Sequence, residues 1–197
     1  MESNLRHIRP ATAADMLFIK SLQKRYTNQL GFLPTAALAE YIKSGRILLN
    51  DVNGQEAGYV LWRPAAAGNY TGISIIQAAV CQDAQRLHVG RGMIDHLRST
   101  HTVGVLGCWC ATDLEANSFW QALGFLPCAS RLGGKRRARH LTLYRRSEMP
   151  GLDVQRLDLP ARAGWKAKKL VGPFLPRPHQ PRGVVEPPNP QPPPDRG

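Results

Sequence analysis

The chain has 197 residues, 43% of them hydrophobic, and a formal net charge of +12. This length allows one domain with a buried core plus an extension. No apolar run reaches the roughly 18 residues that a membrane span requires, and residues 1–4 do not begin a secretory signal. We therefore expect a cytoplasmic protein that does not enter a membrane.

The spacing of apolar residues separates predicted helices from predicted strands along the chain. In chain order the predicted elements are a strand from residue 7, helices at 13–23 and 35–42, strands at 46–51, 56–62 and 72–81, a helix at 90–100, a strand at 103–110, a helix at 114–123, and strands at 125–130 and 139–146. Asn53-Gly54 is typical of a hairpin turn between two of these strands. The predicted order is β-α-α-β-β-β-α-β-α-β-β.

The last 48 residues differ in composition from the rest, because they contain 12 of the 16 prolines. Proline lacks a backbone N–H and fixes φ, so this stretch is not expected to form a packed helix or sheet. We predict a folded domain at 1–149 and a basic, proline-rich, largely disordered tail at 150–197.

Basic residues are concentrated in 131–146, a stretch that contains seven of them and no carboxylate. The positive electrostatic potential of such a cluster attracts phosphates or an acidic protein. A solvated basic face without a partner is an equally good interpretation. The residues predicted to contact nucleic acid or an acidic partner are Lys135, Arg136, Arg137 and Arg139.

The four cysteines lie in apolar, strand-like segments at no recognised disulfide or zinc spacing. Cys108 and Cys110 would share one face of a strand, which leaves a metal or redox pair open. Buried reduced thiols are the default, and no metal site is predicted.

The stretch from Val80 to Leu97 carries the most functional information. An apolar strand leads into a polar turn, and the turn leads into a helix with Met93, Ile94 and Leu97 on one face. Such a junction directs free backbone N–H groups and the positive end of a helix dipole at one point, so it predicts an anion site suited to a pyrophosphate.

Two motifs together resemble a known family. Gln85-x-x-His88-x-Gly90 resembles the CoA-binding signature of the GCN5-related N-acetyltransferases, with His88 where the family has a glycine. The pattern that starts at Asp113 and ends at Gly124-Phe125, with Trp120 in its middle, resembles a later helix of the same family. Gly31-Phe32-Leu33-Pro34, Phe119-Trp120 and the Gly-Gly-Lys-Arg-Arg loop further resemble a sub-branch carried by phages and plasmids.

The resemblance implies an α/β (α+β) fold in which helices flank a mixed, mostly antiparallel sheet. It implies acetyl-CoA, or another acyl-CoA, as the cofactor. The pantetheine arm would run along Ala78, Ala79 and Val80, where a backbone N–H would polarise the thioester oxygen. The pyrophosphate would be held by the turn made of Gln85, Arg86, Leu87, His88, Val89, Gly90 and Arg91. His88 can replace a glycine there if it adopts a positive φ.

The resemblance also marks three candidate catalytic positions, and each departs from the family pattern. Asp113 stands where the family has asparagine. Trp120 stands where the family has a tyrosine that protonates the leaving thiolate, and indole can donate a hydrogen bond but cannot transfer that proton. Gln77 lies in a strand that often carries a glutamate. His88, His101, Glu115 and Tyr144 are general-base candidates by residue type only.

Three functions stay open at this point. The first is an acyl-CoA N-acyltransferase that acts on a small-molecule or protein amine. The second is a phage-type enzyme that modifies nucleic-acid bases on the same fold, which the basic stretch and the missing tyrosine and glutamate favour. The third is a non-catalytic binding module. Neither the acceptor nor the oligomeric state can be read from the sequence.

Overall fold

A computed structural model describes residues 5–133, 139–158 and 167–169. The strands are β1 (Arg6–Pro10), β2 (Ile47–Val52), β3 (Gln55–Ala67), β4 (Tyr70–Val80), β5 (Val105–Ala111), β6 (Leu126–Leu132), β7 (His140–Ser147) and β8 (Ala167–Lys169). The α-helices are α1 (Met16–Arg25), α2 (Thr27–Leu30), α3 (Thr35–Lys43), α4 (Val89–Thr100) and α5 (Ala116–Ala122). Short 3-10 turns at Ala13–Asp15 and Gln82–Ala84 precede α1 and α4.

The eight strands form one sheet in the order β1-β2-β3-β4-β5-β7-β6-β8. Every neighbouring pair is antiparallel except β4 and β5, which are parallel. This arrangement confirms the predicted α/β fold with a mixed, mostly antiparallel sheet. The short helix α2 and the continuation of β3 beyond residue 62 were not predicted. Pro64 lies inside that continuation, where it pairs with Ile73.

Helices cover both faces of the sheet. On one face, α4 inserts Met93, Ile94 and Leu97 into a core that also contains Trp120 and Phe125 around α5. The opposite face, over β2–β4, packs against α1 and α3 through a second core cluster. That cluster contains Ile19, Leu22, Leu38, Leu49, Tyr59 and Leu61.

A third cluster changes the expected domain boundary. Val154 is buried beside Ala129 and Leu143, on the face of the sheet that α1 and α3 cover elsewhere. β8 pairs antiparallel with β6, so residues 167–169 add a strand to the sheet. Parts of the stretch predicted to lie outside the domain are therefore packed on it, and the rest of 159–197 lies outside the described residues.

The parallel strands β4 and β5 pair only over a short distance. Their register runs from Gly72↔Val105 to Ile75↔Cys108 and then ends. The pairing of β4 with β3 shifts at the same level, because Leu61 pairs with Gln77 whereas Trp62 pairs with Ile75. Ile76 is thus an extra residue that bends β4 away from β5. The two strands diverge beyond this bulge and leave an opening between them.

Within the described parts of the chain, no helix combines the length and the apolar character that a membrane crossing needs. Over the same residues, no group of three or more His, Cys, Asp or Glu side chains is placed to hold a metal ion. All four cysteines are free thiols.

Candidate functional site

A cavity of about 390 Å³ lies at the start of α4, beside the end of β4. Its walls come from β4, the turn before α4, the first turn of α4 and one side of α5. The lining residues are Val80, Ala84, Gln85, Arg86, His88, Val89, Gly90, Arg91, Phe119, Ala122 and Leu123. The cavity therefore brings together six of the seven residues of the predicted pyrophosphate turn, and it also includes Val80.

The end of β4 presents unused backbone groups to the opening. The Cys81 N–H donates to the Ala57 carbonyl at 2.8 Å, and hydrogen-bonded pairs alternate along an antiparallel ladder. Ala79, which lies opposite Tyr59, is therefore bonded to β3. The N–H and C=O groups of Ala78 and Val80 point to the other edge, where β5 has already diverged. Of the three predicted pantetheine contacts, these two offer main-chain groups to a ligand.

The turn between β4 and α4 contains two residues in the left-handed region. Arg86 has φ 67° and His88 has φ 59°, a conformation that disfavours most side chains but that histidine tolerates better than most. The first hydrogen bond of α4 runs from Gly92 N–H to His88 C=O at 2.9 Å. The N–H groups of residues 89–91 precede it and have no partner within the helix, so they are available to an anion.

Packing explains the glycine at position 90. A Cβ there would lie 3.1 Å from the Phe119 ring, which fills the space beside the first turn of α4. The absence of a side chain at position 90 lets α5 pack close to α4, and it also suits the backbone of the turn. On the other side of the helix, the buried Asn50 Nδ2 donates to the Val89 carbonyl at 3.1 Å and fixes the start of α4 to β2.

Gln77 is buried and fully engaged in a polar network on the face of β4 that carries α1. Its Oε1 accepts from the Tyr59 hydroxyl at 2.9 Å. Its Nε2 donates to Gln23 Oε1 at 3.1 Å and to the Gly31 carbonyl at 3.2 Å. Gln23 in turn bonds both the N–H and the C=O of Leu33 at 3.0 Å. The network fixes the segment between α2 and α3 over the opening of the sheet.

Comparisons of sequence and of structure give different results. No protein-family model matches the chain, and no curated protein matches it in sequence. Solved structures do match. Ard1 from Thermoplasma volcanium is 17% identical with a TM-score of 0.63, and the match covers 72% of this chain and 97% of that one. The ribosomal-protein-S18-alanine N-acetyltransferase of Escherichia coli is 16% identical with a TM-score of 0.57, over 72% of this chain and 92% of that one. Naa50 of Arabidopsis thaliana, in complex with a bisubstrate analogue of CoA, is 14% identical with a TM-score of 0.59, over 72% of this chain and 98% of that one.

This chain has the fold of the GCN5-related N-acetyltransferases. The three similar structures are 14–17% identical to this chain, so the likeness is one of fold.

Within this N-acetyltransferase fold, Asp113 lies in the turn between β5 and α5 and pairs with a residue of the predicted basic cluster. Arg139 donates to both carboxylate oxygens of Asp113, at 3.0 Å from Nε to Oδ1 and 2.7 Å from Nη2 to Oδ2. This pairing holds the pKa of Asp113 below its usual value. Arg139 also donates to the backbone carbonyl of Asn28 in α2.

Trp120 lies in the core between α5 and the sheet. It is 6% exposed and makes edge contacts with Phe119 and Phe125, at ring-centroid distances of 5.0 Å and 5.2 Å. Burial raises the pKa of the Cys110 thiol to about 11, and a hydrogen bond from Trp120 opposes that rise. The indole N–H is thus directed at a thiol at the end of β5.

The basic stretch does not form one surface over its described part. Arg145 is 2% exposed, and its guanidinium donates to the carbonyls of Leu157 and Asp158 at 3.2 Å and 2.7 Å. Arg146 pairs with Glu148 at 3.2 Å. Arg139 is bound to Asp113, and its predicted contact with nucleic acid or an acidic partner stays a prediction. Lys135, Arg136 and Arg137 lie outside the described residues, and their predicted role stays a prediction.

Sequence reasoning missed the contacts that surround the predicted residues. Gln23 ends the helix predicted at 13–23, and nothing in its spacing distinguishes an amide that caps a distant loop. Phe119 lies in the helix predicted at 114–123, and its ring both packs against the core and forms a wall of the cavity. A signal for that dual position existed, because an aromatic residue one position before the buried Trp120 must face a different side of α5.

Proposed function

We propose that this protein is an acyl-CoA-dependent N-acyltransferase that transfers an acetyl group from acetyl-CoA to an amine. One observation carries the proposal, namely the continuity of the cavity at the start of α4 with the unpaired edge of β4. A pyrophosphate and an extended pantetheine arm need these two features side by side. The similar structure of Naa50 was solved with a bisubstrate analogue of CoA, which supports the same donor here.

The residues around the cavity fit the charge of CoA. The free N–H groups at the start of α4 would bind the pyrophosphate, with the helix dipole adding to the attraction. Arg86 and Arg91 line the same cavity as cations, and the exposed His88 is a further donor. Among the described residues that line it, none is a carboxylate. The free N–H groups of Ala78 and Val80 would bind the pantetheine amides and polarise the thioester carbonyl.

The donor supplies an activated acyl group, and this chain supplies alignment and polarisation. No carboxylate lies between residues 72 and 82, so β4 offers no side chain to deprotonate an ammonium. We infer that the acceptor attacks as the neutral amine. Gln77 and Asp113 then act as positioning residues, because their contacts hold the segments beside the opening. The contacts of Trp120 support a role in placing Cys110 and α5.

Calorimetric titration of acetyl-CoA tests the proposal. Gly90→Glu places a negative charge at the pyrophosphate site, and Gly90→Gln adds a side chain of the same size without the charge. Both variants displace Phe119 to a similar extent, so their difference isolates electrostatics. We expect micromolar binding by the wild type, weaker binding by Gly90→Gln, and at least about tenfold weaker binding again by Gly90→Glu. If the wild type does not bind acetyl-CoA or CoA, the proposal fails.

A further inference from the structure

A row of four residues crosses the sheet on the face that carries α1. Arg63 on β3 lies opposite Ser74 on β4, Ser74 lies beside Gly107 on β5, and Gly107 lies opposite Arg145 on β7. Paired residues share a face, and the neighbouring Trp62 belongs to the core under α4. Two arginines therefore flank a serine and a glycine on the face opposite α4.

Within the described residues, the middle of this row lies between two packed clusters and belongs to neither. The cluster under α1 and α3 ends at Leu61, and the cluster around Val154 begins at Val105 and Leu143. Ser74 and Gly107, which lie between the two clusters, are half-buried. The row also lies next to the opening, because Ser74 directly precedes the last paired residue of β4.

The two arginines of the row differ in their partners. Arg145 donates to two main-chain carbonyls and is satisfied by them. Arg63 is half-buried, and its Nε is shielded from solvent with no hydrogen-bond partner in the described part of the chain. No described carboxylate pairs with it. A guanidinium has five N–H donors, and leaving a buried one unused costs free energy, so this side chain is suited to an anion that the described residues do not supply.

The surroundings of the row add positive charge. The Arg131 guanidinium lies 4.5 Å from the centre of the Trp109 ring, on the same face and two residues beyond Gly107 on β5. The pyrophosphate cavity lies at the start of α4, on the opposite face of the sheet. CoA phosphates would therefore not occupy Arg63, and a different anion is needed.

We propose that Arg63 recognises a carboxylate or phosphate group carried by the acceptor amine, with Ser74 as a second donor. This inference rests on the proposed acyl transfer and names its acceptor class. An acceptor held at Arg63 lies on the free face of the sheet, beside the point where the thioester would enter between β4 and β5. Guanidinium binds both kinds of oxyanion through paired N–H donors, so the shared chemistry is an amine that bears an oxyanion.

The test titrates the CoA-saturated protein with aminomethylphosphonate, with glycine, and with methylamine, which has the amine but no anion. Arg63→Gln removes the charge, and Arg63→Lys keeps the charge without the guanidinium geometry. Lys20→Gln is the control, because it removes one positive charge from an exposed position on α1. Thermal unfolding and CoA affinity are measured for every variant, so that a folding defect or a donor-site defect is recognised separately.

We expect the wild type to prefer both anionic amines to methylamine. Arg63→Gln should lose at least about tenfold in affinity for them, Arg63→Lys should lose less, and Lys20→Gln should match the wild type. All variants should bind CoA alike. The inference is overturned if Arg63→Gln binds the anionic amines as the wild type does, or if the wild type does not distinguish them from methylamine. If the wild type binds no CoA, the proposed function fails, and the same titrations on the free protein decide the role of Arg63 alone.

Discussion

Arg139 connects Asp113 to the backbone carbonyl of Asn28. One guanidinium thereby joins the turn after β5, the start of β7 and the short helix α2. Asp113 and Asn28 belong to the two sides of the opening between β4 and β5. The sequence predicted separate roles for Asp113, as a candidate catalytic residue, and for Arg139, as a contact to nucleic acid or an acidic partner. Their contact instead makes them two parts of one connection across the opening.

Removing this connection should change local mobility more than global stability. The Asp113 side chain is 61% exposed, and exposed ion pairs contribute about 0–1 kcal/mol to the free energy of unfolding. We expect both Arg139→Gln and Asp113→Asn to stay within that range in urea unfolding. Amide hydrogen exchange in residues 27–31 should accelerate more in Arg139→Gln, because only that substitution removes the donor to Asn28. Unchanged exchange of residues 27–31 in Arg139→Gln would contradict the proposed connection.

Gln77→Glu restores the residue type that the family resemblance leads one to expect, and we expect it to be harmful. A carboxylate cannot donate to Gln23 Oε1 or to the Gly31 carbonyl, so two acceptors would face a buried negative charge. The free energy of unfolding should fall by about 1–3 kcal/mol. Gln82→Glu makes the same chemical change at an exposed position and should cost less than about 0.5 kcal/mol. Urea unfolding of both variants gives the answer, and equal small effects would show that the Gln77 network is unimportant.

Local patterns predicted the elements of the sheet well, because the apolar runs in β2 and β5 and the three-to-four spacing in α4 depend on nearby residues. The junction at 85–91 was also predicted, since its turn residues and the helix start are consecutive in the chain. Positions fixed by distant contacts were not predicted. The bulge at Ile76 needs the register of β3, and the partner of Gln77 lies 54 positions away.

The packing of the first residues after β7 also depends on distant contacts that the sequence does not reveal. Proline content predicted an unpacked segment from residue 150, but the first residues after β7 contain apolar side chains that cover the exposed end of the sheet. Val154 and the carbonyls that bind Arg145 explain why the packed region continues. The buried Arg145 cannot be distinguished by sequence from the half-buried Arg146 beside it.

We expect the backbone conformation of residue 88, and not its imidazole, to be what CoA binding requires. His88→Gly removes the side chain and accepts φ 59° without strain, whereas His88→Val places a β-branched residue in a conformation that it strongly disfavours. We expect His88→Gly to bind CoA within about threefold of the wild type. His88→Val should be less stable than His88→Gly by about 1–2 kcal/mol. Loss of CoA binding in a stable His88→Gly variant would instead assign the contact to the imidazole.

Arg145 should anchor the segment that follows β7. Its two hydrogen bonds to carbonyls of residues 157 and 158 come from a charged donor that is almost fully buried, so Arg145→Met should cost about 1.5–3 kcal/mol. We also expect faster proteolysis between residues 150 and 158. Lys20→Gln is a suitable control, because it removes a positive charge from an exposed position outside this segment. The anchoring role is wrong if both variants are cleaved at the same rate as the wild type.

Asp15 should make the fold sensitive to acid. This carboxylate is 5% exposed, accepts from Arg9 at 2.8 Å and 2.9 Å, and accepts from the Thr12 N–H at 2.6 Å. The hydrogen bonds from Arg9 lower the pKa of Asp15 well below that of an unfolded aspartate. A carboxyl whose pKa is lower in the folded state stabilises the protein above the unfolded pKa of about 4, and that stabilisation is lost as the pH falls towards the folded value.

Asp15→Asn removes the titrating group and keeps its shape. At pH 7 the variant should be less stable than the wild type by about 2 kcal/mol, because Arg9 loses a charged partner but retains Asp51 at 2.9 Å. Between pH 5 and pH 3 the urea midpoint should fall more steeply in the wild type than in the variant. Asp83→Asn, at an exposed position, should follow the wild type throughout. If Asp15→Asn and the wild type lose stability in parallel as the pH falls, another carboxylate is responsible for the acid sensitivity.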